Sequence, residues 1–247
     1  MDNIAYVALS RQQTLRREMD VVANNIANAD TNGFKVESLL METAPVAPAA
    51  NMDAPNPVNF VRDAGVIRDL SQGVMEQTAR PLDLAIEGDA YFMVDTGTRQ
   101  YAYTRDGSFT MDGDGRLTTS SGHPVLDDQF NPIQLNAAGG TPTITEDGTI
   151  FQGGAQVARI GVFRFPVTRQ LQHMGGNLLR PPPNEPPQIA EEARVRQGRL
   201  EASNVEPITE ITRMMEVQRA YERVTRIVDS TEDLSRRAVE RLGAVRG

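Results

Sequence analysis

Apolar residues recur at three- and four-residue steps at both ends of this chain, and that feature limits what it can fold into. From Asn3 to Asn28 the repeating positions are Ile4, Ala8, Leu15, Met19, Val22 and Ile26, with Arg11, Arg16, Arg17 and Asp20 largely off that face. This is the pattern of an amphipathic helix, with Asp2 or Asn3 as its cap and Gly33 as the left-handed residue past its end. From about Glu206 to Leu242 a second pattern runs through Met214, Val217, Tyr221, Val224, Val228, Thr231 and Ala238. Its repeat is close to the 3.5-residue period of a coiled coil. Pro207 suits the first helical position, and Glu222 with Arg226, Glu232 with Arg236 and Asp233 with Arg237 sit at the favourable i, i+4 spacing. Each one-faced helix must bury a stripe, and the simplest partner for each is the other. The faces around Ala23, Ala27 and Ala29 leave room for further neighbours, so self-association through the terminal helices follows as a hypothesis.

The sequence between the helices is of another kind. The runs VNFV, LDLAI, AYFMV, QYAYT, SFTM and VARIGVFRF are rich in β-type residues, and Asp106-Gly107, Asp112-Gly113, Asp114-Gly115 and Asp147-Gly148 are turn dipeptides, which together predict antiparallel sheet. Two proline-rich stretches, residues 44–57 and 180–187, read as extended loops. The expected fold class is α+β: a discontinuous domain of long N- and C-terminal helices, coiled-coil-like, formed by residues 1–30 and 206–247. Extended linkers at 31–70 and 181–205 would join it to an inserted β-rich domain at 71–180.

Composition excludes several functions. The chain has 247 residues, a net charge of −8 and no cysteine, which argues against coating a phosphate backbone and rules out disulfides, thiolate nucleophiles and Cys-ligated metals. Lys35 is the only lysine and reads as coding bias. His123 and His173 lie far apart, and Asp112 to Arg116 lacks the ligand ladder of a calcium loop, so neither a metal nor a cofactor is expected. Asp83 and Asp89 could suggest a glycosidase pair, but nothing else in the sequence supports it. The longest apolar run near the start, Ile4 to Leu9, is too short for a signal-peptide core or a membrane span.

Four blocks, in order, carry a family likeness: ANNIANADTNGFK at 23–35, QGVMEQTARPLDLAIEGDAYFMV at 72–94, YTRDGSFTMDGDGRLTTSSGHPVL at 103–126 and LEASNVEPITEITRMMEVQRAYE at 200–222. They resemble the flagellar basal-body rod and hook proteins, with Asn32 where the family pattern usually has Thr or Pro. The opening segment is most similar to the proximal rod members. The resemblance implies a non-enzymatic structural subunit of a periplasmic drive shaft that transmits torque and encloses the export channel. It also implies passage through the flagellar type III export apparatus without a cleaved leader, and copies of itself and other rod proteins as partners. Nucleic acid, a small-molecule substrate and membrane insertion are not expected. The alternatives are a distal rod or hook-type axial protein of the same family, a monomeric β-rich binding domain, and, third, a hydrolase.

Asn24, Asn25, Asn28 and Asn32 crowd one helix end. Asn28 and Asn32 can be terminal capping residues; alternatively Asn24, Asn25 and Asn28 lie at a subunit interface, where paired donors and acceptors fix register. The expected interface adds Ile26, Gly33 and Phe34 at this end, with Gly33 as a turn residue and Phe34 pinning the outgoing chain. On the second helix it adds Ile211, Met214, Val217, Tyr221, Val224 and Val228.

Overall fold

The computed structural model describes residues 2–44, 60–97, 100–166, 171–183 and 186–244. Among them are two helices, α1 (Asp2–Ala27) and α2 (Pro207–Ala244), and seventeen strands, so the chain is mostly β. It divides into two compact units: residues 1–27, 37–69 and 206–247 form unit 1, and residues 28–36 and 70–205 form unit 2.

Unit 1 holds α1, α2 and a long hairpin of β1 (Glu37–Ala44) and β2 (Phe60–Arg68). The side chain of Gln12 donates to Thr225, Arg213 pairs with Glu18, and the Asn25 amide donates to Glu210. Partners that ascend on α1 descend on α2, so the helices run antiparallel. In the hairpin, Leu40 faces Gly65 and Met41 faces Asp63, leaving Ala64 as the extra residue of a β-bulge. Gly65 meets the positive φ of 127° that this bulge requires.

These observations correct two expectations. The expected α+β fold with a coiled-coil-like helical domain gives way to a mostly β chain in which α1 packs against the β1–β2 hairpin as well as against α2, and the helix–helix cross-links just named are polar. Residues 31–70 are not an extended linker either. Residues 37–44 and 60–68 pair as a two-stranded ribbon, and the proline-rich stretch expected to be a loop lies between them in sequence. All of that stretch but Ala44 falls within 45–59, which lies outside the described residues, as do 184–185 of the second. Within 181–205, β15 (Gln188–Ile189), β16 (Arg194–Gln197) and β17 (Arg199–Glu201) are paired strands.

Unit 2 adds β3 (Met75–Gln77), β4 (Leu84–Glu87), β5 (Tyr91–Asp95), β6 (Tyr101–Thr104), β7 (Thr110–Met111), β8 (Leu117–Thr118), β9 (Thr143–Ile144), β10 (Thr149–Gln152), β11 (Ala155–Arg159), β12 (Val162–Arg164), β13 (Gln172–Gly175) and β14 (Leu178–Arg180). Its largest sheet has the order β13-β14-β6-β5-β12-β15, beside a three-stranded sheet β11-β10-β9 and the pairs β16-β4, β17-β3 and β7-β8. Alternation along β5 explains its unbroken apolar run. Phe92 and Val94 join one core cluster with Leu84, Phe109 and Val162, while Tyr91 and Met93 join a second with Tyr103, Phe163 and Phe165. The central strand is buried on both faces. Although aromatics are scarce, they concentrate here, with Tyr103 edge-on to Phe165 at 4.7 Å and Phe92 edge-on to Phe109 at 5.1 Å.

Candidate functional site

Unit 1 is organised around Asn25, which is fully buried. Its side-chain amide donates to the Glu37 carbonyl at 2.8 Å and to Glu210 Oε2 at 2.9 Å, and its Oδ1 accepts the Glu37 N–H at 2.9 Å. One side chain thus ties α1 to the start of β1 and to the first turn of α2. Glu210 also lies where a helix N-terminus favours negative charge. Glu37 faces Arg68 across the hairpin, and its Oε1 accepts from Arg68 Nε at 2.8 Å while Asn24 approaches Oε2 at 3.4 Å. Asn25 is therefore a bracket inside the chain, and its amide is not presented to a neighbour.

The other amides divide. Asn28 accepts from the Thr31 N–H and hydroxyl, each at 3.2 Å, as a helix-end residue does. Asn24 is exposed and Ile26 half-buried. Because α1 ends at Ala27, Gly33 is not its capping glycine, a further correction. Gly33 instead forms a turn in unit 2 with φ of 68°, its N–H donating to the Glu201 carbonyl at 2.7 Å. Phe34 is buried.

On α2 the stripe divides as well. Val217 is buried, Met214, Tyr221, Val224 and Val228 are half-buried, and Ile211 is exposed. With 3.6 residues per turn, Ile208, Ile211 and Met215 fall on one flank of the stripe, Ile227 and Leu234 on the opposite flank. All five are exposed, Ile208 at 81% and Leu234 at 61%. Leu9, Leu40, Met41 and Ile67 extend the exposed apolar set on unit 1, whereas unit 2 buries most of its large apolar side chains.

Unit 2 contains a charge cluster that sequence reasoning missed. Glu201 accepts from Lys35 through Oε1 and from Arg105 through Oε2, the latter at 3.0 Å, with all three side chains at least nine-tenths buried. Arg105 also donates to the Gly88 carbonyl at 2.7 Å and lies 5.0 Å above the Tyr91 ring. Lys35 donates to the Ser71 carbonyl at 2.6 Å. The sole lysine is thus the counter-charge to a buried carboxylate, and its solitude was the one sequence signal that could have marked it.

The turn at Asp112 closes on itself: its Oδ1 accepts the Asp114 and Arg116 N–H groups, and the Arg116 guanidinium pairs with both carboxylates. These bonds hold the Asp112 carboxyl below its ordinary range. Among the described residues no group of His, Asp and Glu side chains is placed to hold a metal ion, and no helix is long and apolar enough to cross a membrane.

Three family descriptions match the chain: flagella basal body rod protein over residues 6–35, flagellar hook protein FlgE/F/G D1 domain over 85–152, and flagellar basal body rod FlgEFG protein C-terminal over 196–241. The chain is 49% identical to the flagellar basal-body rod protein FlgF of Caulobacter vibrioides over 245 residues, covering 99% of this chain and 100% of that one. It is 35% identical to FlgF of Mesorhizobium japonicum, covering 99% of each. With the flagellar basal-body rod protein FlgG of Buchnera aphidicola subsp. Schizaphis graminum it shares 31% identity, covering 94% of this chain and 95% of that one. Colinear likeness at this identity over whole chains places the chain in the flagellar basal-body rod protein family, as a FlgF-like structural subunit of the rod.

Proposed function

We propose that the chain serves in the proximal part of the rod by docking unit 1 against copies of itself and against other rod proteins. Docked subunits would build a tube that transmits torque and encloses the export channel. The observation that carries this reading is the pair of exposed apolar flanks on α2, Ile208, Ile211 and Met215 on one side and Ile227 and Leu234 on the other. Large apolar side chains exposed along one helix mark an interaction surface. Two different flanks on one helix favour a heterologous contact, which repeats into rings or helical tubes instead of closing as a two-fold dimer. Asn24, Ile26, Tyr221, Val224 and Val228 are further interface residues in this reading, while Asn25, Asn28, Gly33, Phe34, Met214 and Val217 hold the chain in the shape that docks.

The function is mechanical and involves no reaction or cofactor. The subunit passes through the flagellar export apparatus and works in the periplasm. The test is to introduce Ile211→Glu and Leu234→Glu separately into a flagellated host. Both positions are exposed, so fold stability should change by no more than about 0.5 kcal/mol. Loss of rods and motility with a normally folded protein is the expected result, and normal rods in both variants would contradict the proposal.

A further inference from the structure

Asn32-Gly33 is the only Asn-Gly pair in the sequence, and we propose that it is a site of spontaneous deamidation that folding of unit 2 switches off. In such a pair the glycine backbone nitrogen attacks the asparagine Cγ, unhindered because glycine has no side chain. A new N–Cγ bond forms, the Cγ–Nδ2 bond breaks, and the departing amide nitrogen leaves as ammonia with the proton from the backbone nitrogen. Water then opens the cyclic imide at either carbonyl, giving aspartate or isoaspartate. The sequence requires no partner beyond water.

The fold withholds the nucleophile. The Gly33 N–H is committed to the Glu201 carbonyl at 2.7 Å, and the Asn32 carbonyl is held by the Asn177 side-chain amide at 2.9 Å. Glu201 is in turn fixed by Lys35 and Arg105, so the cluster that orders this turn also guards it. The turn has no slack: a Cβ on Gly33 would lie 2.5 Å from the Arg105 carbonyl carbon and 2.7 Å from the Asp106 nitrogen. Isoaspartate at residue 32 inserts a methylene into the backbone at this point and adds a negative charge. A chain modified while unfolded would therefore fail to rebuild unit 2, so the pair limits the time the chain can safely remain unfolded.

The test holds the full-length protein in native buffer and in concentrated urea at the same mildly alkaline pH and temperature. Residue 32 is followed by peptide mass and by enzymatic methylation of isoaspartate. The native rate should be lower by about tenfold or more, the suppression given by an opening free energy of about 1.4 kcal/mol. Equal rates in the two conditions, or no reaction in urea, would overturn the proposal. Asn32→Gln, whose longer side chain cyclises poorly, should abolish the signal, and persistence of the signal there would equally overturn it. After urea is removed, unmodified chains should regain a unit 2 that resists protease, and chains carrying isoaspartate at residue 32 should not. Recovery of full resistance would contradict the claim that the turn cannot absorb the extra methylene.

Discussion

Asn25 and Glu201 each join segments that are remote in sequence, which makes them the sharpest points at which to test the fold. Replacing Asn25 by Ala removes three hydrogen bonds and strands the Glu37 N–H and the Glu210 carboxylate in a buried site, at a cost of about 3 kcal/mol. Urea unfolding of wild type and variant measures it, with the loss expected in the helical signal of unit 1. In unit 2, Glu201→Ala leaves two buried cations facing each other and should cost about 3–5 kcal/mol. Lys35→Met leaves Arg105 on Glu201 and should cost less. Equal urea midpoints for the two variants would show that the cluster does not act through charge balance. The sequence makes Asn25 conspicuous as one of four crowded amides, but its partner Glu210 is 185 residues away. A buried bracket and an interface amide look alike until that partner is placed.

At the scale of elements, the paired aromatics of β5, β6 and β12 make unit 2 sensitive to alkali. Burial, with the neighbouring Tyr101 as a lesser cause, pushes the Tyr103 hydroxyl up to about 12, and burial raises Tyr91 in the same sense. The unfolded chain releases these protons near pH 10, so the folded form binds more protons between pH 10 and 12. The stability involved is complete below about pH 10 and is lost as pH rises towards 12. The urea midpoint of wild type should fall across that window, and that of Tyr103→Phe should fall less; an identical slope would remove Tyr103 from the effect. Strand runs such as LDLAI and AYFMV were legible because alternation and turn chemistry are local. The hairpin was not, since its prolines dominate residues 44–57 and its two strands must find each other across them. The period on α2 was legible, but a near-heptad repeat does not reveal that the hairpin will share the face of α1.

On the scale of the whole molecule, the sequence dictates that one-faced helices at both chain ends need partners, but not that the β1–β2 hairpin is among them or that the chain is mostly β. The identity of the surface left for other subunits does not follow. Stripe residues such as Val217 and flank residues such as Ile211 are equally apolar in the sequence, and only packing separates the buried from the exposed. The absence of cysteine permits a direct test, because any introduced cysteine is a unique handle. A photoreactive group attached at Ile211→Cys and, separately, at Leu234→Cys should form adducts with neighbouring rod subunits in isolated basal bodies, while the same label at the exposed Val74→Cys of unit 2 serves for comparison. Adducts from both α2 positions are the predicted result. Their absence from both, with efficient adducts from Val74→Cys, would contradict assembly through the flanks of α2.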